Sequence, residues 1–236
     1  MIAVPAVDLR EGACVQLVGG SYDHERVRLD DPVAVARQWR ALGFPRLHIV
    51  DLDAATGRGD NTRIIERILE LGGDVQVGGG VRDEARVQAL LSAGASRVVV
   101  GTRALEDTAW LEKTALAYPG KLVVAADVRG RNIVTRGWEK TLPVDVGSVV
   151  DRLNGLPLGA VMITAVHREG QMAGTDLPLM AEIAGRSKHP LQASGGITTL
   201  EDLRALANAR VCAAILGMAL YTGTLDGRAA ATEFSS

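Results

Sequence analysis

Apolar residues gather along this chain in short, nearly continuous runs: IAVPAVD from residue 2, LHIVDL from 47, DVQVG from 74, RVVVG from 97, LVVAAD from 122, AVMITA from 160, PLQAS from 190 and CAAILG from 212. Runs this apolar, rich in Val, Ile and Leu and lacking strict alternation, are how strands covered on both faces of a parallel sheet read. Between them polar and apolar positions repeat at helical spacing, as in DPVAVARQWRALG, DNTRIIERILELG, DEARVQALLSAG, DTAWLEKTALAYPG and TLEDLRALANA. Several of these open on Asp or Thr, which suits an N-cap, and several close on Gly, which suits a helix end. Eight strands alternating with helices predict an α/β fold, a closed (β/α)8 TIM barrel. The expectation is one domain over residues 1–236, with an open doubly wound sheet as the alternative.

The pattern also repeats. A shift of 116 residues lays Gly79-Gly80 on Gly195-Gly196, Ala89-Leu90 on Ala205-Leu206 and Gly101 on Gly217. A shift of 119 lays AVDLR at 6–10 on AADVR at 125–129, so that Asp8 meets Asp127 and Arg10 meets Arg129. Two similar half-barrels, about 1–118 and 119–236, follow from this. They would set the glycine turns after the third and seventh strands on opposite sides of one mouth, and the two aspartates at the ends of the first and fifth strands, facing each other.

Composition narrows the function. With 47% hydrophobic and 23% charged residues the chain can bury a large core, which argues against disorder. A net charge of −2 offers no global attraction for nucleic acid or an anionic membrane, so a small-molecule partner is expected. Cys14 and Cys212 lie far apart and read as reduced apolar residues. The opening MIAVPAVDLREG has neither a basic segment nor a long apolar one, and no run approaches the ~18 apolar residues of a membrane span; a cytoplasmic protein is expected.

A glycine pair behind a strand lets backbone amides approach an anion, and the helix that follows adds its positive end. Two candidate phosphate cradles result: Gly79, Gly80, Gly101 and Thr102, and Ser194, Gly195, Gly196, Gly217 and Met218. Such glycines can also serve only as tight turns, but duplication at one register favours a ligand with a phosphate at each end. Asp8 and Asp127 are candidates for general acid and base, provided that the environment separates their pKa values; the alternative is ion pairing with Arg10 and Arg129. His48 reads as a core histidine, and Asp51 as support for Asp8 or as a strand-end cap. His24, His167 and His189 show no ligand spacing, and no metal is expected. TRGWEK, 135–140, puts Arg136 and Trp138 on a mouth loop, where Trp138 either stacks on a planar base or covers the rim.

Taken together, VPAVDLREGACVQLVGG, LHIVDLDAATGRGDN, VQVGGGVRD, AADVRG, TRGWEKT, ASGGI and LGMALYTG resemble the histidine-biosynthetic isomerase family acting on phosphoribosylformimino-aminoimidazole carboxamide ribotide. The resemblance covers nearly the whole chain. It implies a barrel of two half-barrels, a bisphosphorylated ribotide substrate and an Amadori rearrangement of an aminoaldose to an aminoketose without metal or cofactor. It also implies Asp8 as base, Asp127 as acid and Thr164 as an assisting residue, in an enzyme expected to be a monomer. One stretch departs from the family pattern: TAVHREGQMAGTD keeps Thr164, Gly170 and Gly174, but has Ala165 and Glu169 where Asp is usual and Thr175-Asp176 in place of Pro-Asn. Glu169 therefore joins Arg136 and Trp138 as a candidate substrate contact, and Arg28 stands where an aromatic residue is frequent. Other readings are a bifunctional isomerase that also takes phosphoribosyl anthranilate, the sister cyclase, and a non-enzymatic phosphate-ligand sensor. If Glu169 faces inward, an acidic arm disfavours anthranilate.

Overall fold

The eight apolar runs pair side by side because both faces of each strand are apolar and only a covered sheet buries both. In the computed structural model, which describes residues 1–236 except Arg136, Glu139 and Ala173, these runs are β1 (Ile2–Arg10), β4 (Arg46–Asp51), β5 (Asp74–Gly78), β6 (Arg97–Val100), β7 (Leu122–Arg129), β10 (Ala160–Ala165), β11 (Leu191–Ser194) and β12 (Ala213–Leu216). Each is parallel to the next, and the β7–β10 and β12–β1 pairings complete the ring. The fold is a closed (β/α)8 barrel.

Two antiparallel hairpins interrupt the alternation. One, β2 (Ala13–Leu17) and β3 (Glu25–Leu29), follows β1; the other, β8 (Asn132–Thr135) and β9 (Lys140–Asp145), follows β7. They are matched in register. Asp8 lies opposite Val15 and Arg10 opposite Ala13, while Asp127 lies opposite Val134 and Arg129 opposite Asn132. The mouth loop expected at 135–140 is thus the turn of a hairpin, one structural device used twice.

Side chains alternate in and out along each barrel strand. On β1, Ala3, Val7 and Leu9 join the shell beneath the helices, whereas Val4 and Ala6 belong to a separate cluster with Val99, Val123, Ala160, Met162, Ala213 and Ile215 that fills the lumen. Asp8 continues the inward face of Val4 and Ala6, and Asp127 continues that of Val123 and Ala125. In the same lumen Gln76 and Gln192, related by the 116-residue shift, exchange amide hydrogen bonds at 2.8 and 3.0 Å. No helix among the described residues is long and apolar enough to cross a membrane.

Candidate active site

Above this floor one cavity of about 1240 Å³ opens at the C-terminal ends of the strands, where barrel loops place functional groups. It is lined by Asp8, Asp127 and Thr164, by Gly79, Gly80, Gly101 and Thr102, by Ser194, Gly195, Gly196, Gly217 and Met218, and by Trp138 and Glu169. Every described candidate thus meets in one place. Arg136 lies outside the described residues.

The two glycine turns share a backbone. Gly79 and Gly80 have φ of 95° and 67°, Gly195 and Gly196 of 94° and 79°, in the left-handed region that only glycine enters without strain. Each pair is also pressed against the preceding loop. A Cβ on Gly79 would collide with the Asp51 carbonyl and one on Gly195 would stand 2.7 Å from the Ala165 carbonyl oxygen. Gly80 and Gly196 face Ala54 and Gly174 in the same way. Packing alone therefore requires all four glycines. Gly101 and Gly217 precede the short helices Thr102–Glu106 and Met218–Tyr221 with nearly identical dihedrals, φ −112° and −110°.

The carboxyl groups are not paired with the nearby arginines. Arg10 bonds to Glu25 and the Tyr22 carbonyl, and Arg129 reaches the Trp138 carbonyl, so the ion-pair alternative for Asp8 and Asp127 fails. Asp8 accepts a hydrogen bond from Gln16 Nε2 at 3.3 Å, and burial pushes its pKa up to about 7 against that donor. Asp127 is raised by burial too, opposed by the Trp138 indole N–H at 2.8 Å and by the neighbouring Thr164 hydroxyl. The register explains the difference: Thr164 sits beside Asp127, while Val50 sits beside Asp8.

Glu169 faces inward. Burial raises it to about 7, with the charges of Asp8 and Asp127 adding to the rise, and its Oε2 has no hydrogen-bond partner among the described residues. Its loop leans on the first hairpin, where Gly19 N–H donates to the Glu169 carbonyl at 3.3 Å. Trp138, at φ 70°, is turned in over Asp127, and its ring fills the space where a Gly20 side chain would stand. In this structure the indole lies between the hairpin loop at Gly20 and the Asp127 carboxyl group, to which it donates.

The remaining sequence candidates take ordinary places. His48 is buried on the cavity floor with Gln76 on its Nδ1 at 2.9 Å, and burial lowers it to about 4, so it is neutral. Asp51 does not reach Asp8; it caps the helix Leu52–Thr56 and binds Asn61, which also holds Asp53. His167 pairs with Asp176 at 3.5 Å, His189 with the Leu153 carbonyl, and the His24 carbonyl accepts from Val18. Cys14 and Cys212 are free thiols, but Cys212 is exposed and is no core residue. Gln16 was not marked by the sequence reading. Its signal was the alternation of ACVQL, which becomes meaningful only once Glu11-Gly12 is read as a two-residue turn.

Barrel, lumen-facing carboxyls and paired glycine turns define an enzyme of the (β/α)8 class. Residues 2–226 match the family described as "Histidine biosynthesis protein", and the chain belongs to that family. It is 58% identical to a protein of Gemmatimonas aurantiaca and 56% identical to one of Myxococcus xanthus, each match covering 100% of both chains. A protein of Synechocystis sp. is 42% identical over 96% of this chain and 90% of its own. All three are named 1-(5-phosphoribosyl)-5-((5-phosphoribosylamino)methylideneamino) imidazole-4-carboxamide isomerase.

Proposed function

We propose that this protein is the aldose–ketose isomerase of histidine biosynthesis that converts the phosphoribosylformimino-aminoimidazole carboxamide ribotide to its phosphoribulosyl isomer. The observation that carries the reading is the pair of half-buried carboxyl groups, Asp8 and Asp127, at equal register in the two halves and between two glycine turns of the same geometry. The turns would take the two phosphates, with Gly79, Gly80, Gly101 and Thr102 on one side and Ser194, Gly195, Gly196, Gly217 and Met218 on the other. We read the halves, 1–118 and 119–236, as parts of one domain. All of these residues come from one chain, which supports a monomer as the working unit.

Asp127 gives its proton to the ring oxygen, the C1–O bond breaks, and the nitrogen lone pair forms the C1=N Schiff base. Asp8 then removes the C2 proton; its electrons form C1=C2 while the C=N pair returns to nitrogen, and the resulting enaminol gains a proton at C1 as its C2 hydroxyl gives one up to solvent, leaving the ketone at C2 and an amine at C1. Thr164 holds Asp127 in line.

The inward Glu169 supports a substrate preference. A third carboxyl group beside Asp8 and Asp127 disfavours an anionic anthranilate ring by like-charge repulsion in a desolvated cavity. The test is isomerisation of the purified protein's ribotide substrate in D2O: turnover with deuterium entering at C1 is expected. Tight binding without turnover would instead mark a ligand sensor.

A further inference from the structure

Gln16 is a buried polar side chain, 4% exposed, that meets both a candidate catalytic carboxyl and a candidate phosphate turn. Its Nε2 donates to Asp8 Oδ2 at 3.3 Å. Its other end lies over the second turn, where a Cβ added to Gly217 would stand 2.5 Å from Gln16 Oε1. The other half lacks the brace. A Cβ on Gly101 would come no nearer than 3.9 Å to the Ala125 carbonyl oxygen, and the residue 119 positions after Gln16 is Thr135, whose buried hydroxyl has no partner among the described residues. The β2–β3 register shifts between Gln16 and Leu17, and such irregularities re-aim side chains.

We infer that Gln16 is a positioning residue: its carboxamide fixes the Asp8 carboxyl by one hydrogen bond and braces it against the Gly217 backbone, holding the base and the second phosphate turn in one relation. The inference rests on the reading of Asp8 as base. A carboxamide suits the task because it donates a hydrogen bond yet does not titrate, so it orients the carboxylate without competing for the proton. Its hydrogen bond also favours the ionised form and opposes the burial that raises Asp8.

The other ionisable groups that feel Asp8 are Cys14 on β2, Tyr221 on the helix Met218–Tyr221, and Glu169 on the loop after β10. Cys14 is pushed up to about 12 and Tyr221 well above its usual value, so both are neutral at working pH. Glu169, at about 7, titrates together with Asp8. The experiment therefore follows the Asp8 carboxyl by 13C NMR in a Glu169→Gln background, and kcat and KM against pH in the otherwise natural chain. Two variants are compared: Gln16→Met, which keeps length and loses the donor, and Gln16→Asn, which keeps the amide and cannot reach. In either folded variant the Asp8 midpoint should rise by about one unit and the acidic limb of kcat/KM with it. At the optimum kcat should fall ~10-fold while KM moves less than ~3-fold. An unmoved Asp8 midpoint, or a higher KM with kcat intact, overturns the inference. Asp8→Asn separates the two readings: turnover surviving in that variant removes the base role, while the NMR midpoint still decides whether Gln16 holds Asp8.

Discussion

Asp8 and Asp127 occupy equivalent places in the two halves, yet the indole and hydroxyl beside Asp127 have no counterpart beside Asp8, which meets Gln16 instead. Asparagine at either position keeps the shape and ends proton transfer, so Asp8→Asn and Asp127→Asn should each lower kcat by ~10²–10⁴-fold with the fold intact by circular dichroism. Near-normal rates in either folded variant would remove that residue from the mechanism. Glu169 and Asp8 carry a second consequence. Both have pKa values near 7 in the folded chain, above the ~4 of an unfolded carboxyl, so the folded state binds more protons between about pH 4 and 7. The stability they contribute is fully present below pH 4 and is lost as pH rises through 7. Glu169→Gln should therefore raise Tm at pH 8, by about 2–4 °C for each kcal/mol recovered, and leave it nearly unchanged at pH 4. A Tm at pH 8 no higher than that of the natural chain would contradict the burial that raises the Glu169 carboxyl.

Among the elements, the glycine turns were legible from the 116-residue repeat, but not the fact that neighbouring backbone already excludes a side chain at Gly79, Gly80, Gly195 and Gly196. Substitution at these four tests packing. Gly79→Ala should lower stability by several kcal/mol, from a left-handed φ and a collision with Asp51. Gly101 is the better probe of anion binding, since a Cβ there finds open space. Gly101→Asp should keep Tm within a few degrees and weaken phosphate-bearing ligands by at least ~10-fold in calorimetry; undiminished affinity would exclude that turn as a cradle. The hairpins were hidden for a local reason. A two-residue turn of this kind is usually signalled by Asn-Gly or Asp-Gly, and Glu11-Gly12, at φ 49° and 81°, places Glu where the short side chain is expected. With that turn unread, Gln16 and its contact with Asp8 could not be seen. Trp138 was visible as a mouth residue, but its inward turn depends on a positive φ that no sequence pattern announces for tryptophan.

At the scale of the whole molecule the duplicated half-barrel explains why one chain presents two like turns and two like carboxyls to one cavity. Gln16 beside Asp8, and Trp138 and Thr164 beside Asp127, make the two carboxyls of a symmetric frame unlike in their surroundings, with Glu169 near both. On the proposed reading a bisphosphorylated ribotide meets a glycine turn at each end, whereas phosphoribosyl anthranilate has one phosphate and would bring an anion toward Glu169. The most direct measurement is the steady-state specificity constant of the purified protein for both ribotides under the same conditions. The expected result is turnover of the bisphosphorylated ribotide with a kcat/KM at least ~100-fold above that for phosphoribosyl anthranilate, a gap of about 2.7 kcal/mol. Comparable constants would contradict the preference assigned to Glu169, and absence of turnover with the bisphosphorylated ribotide would contradict the isomerase itself.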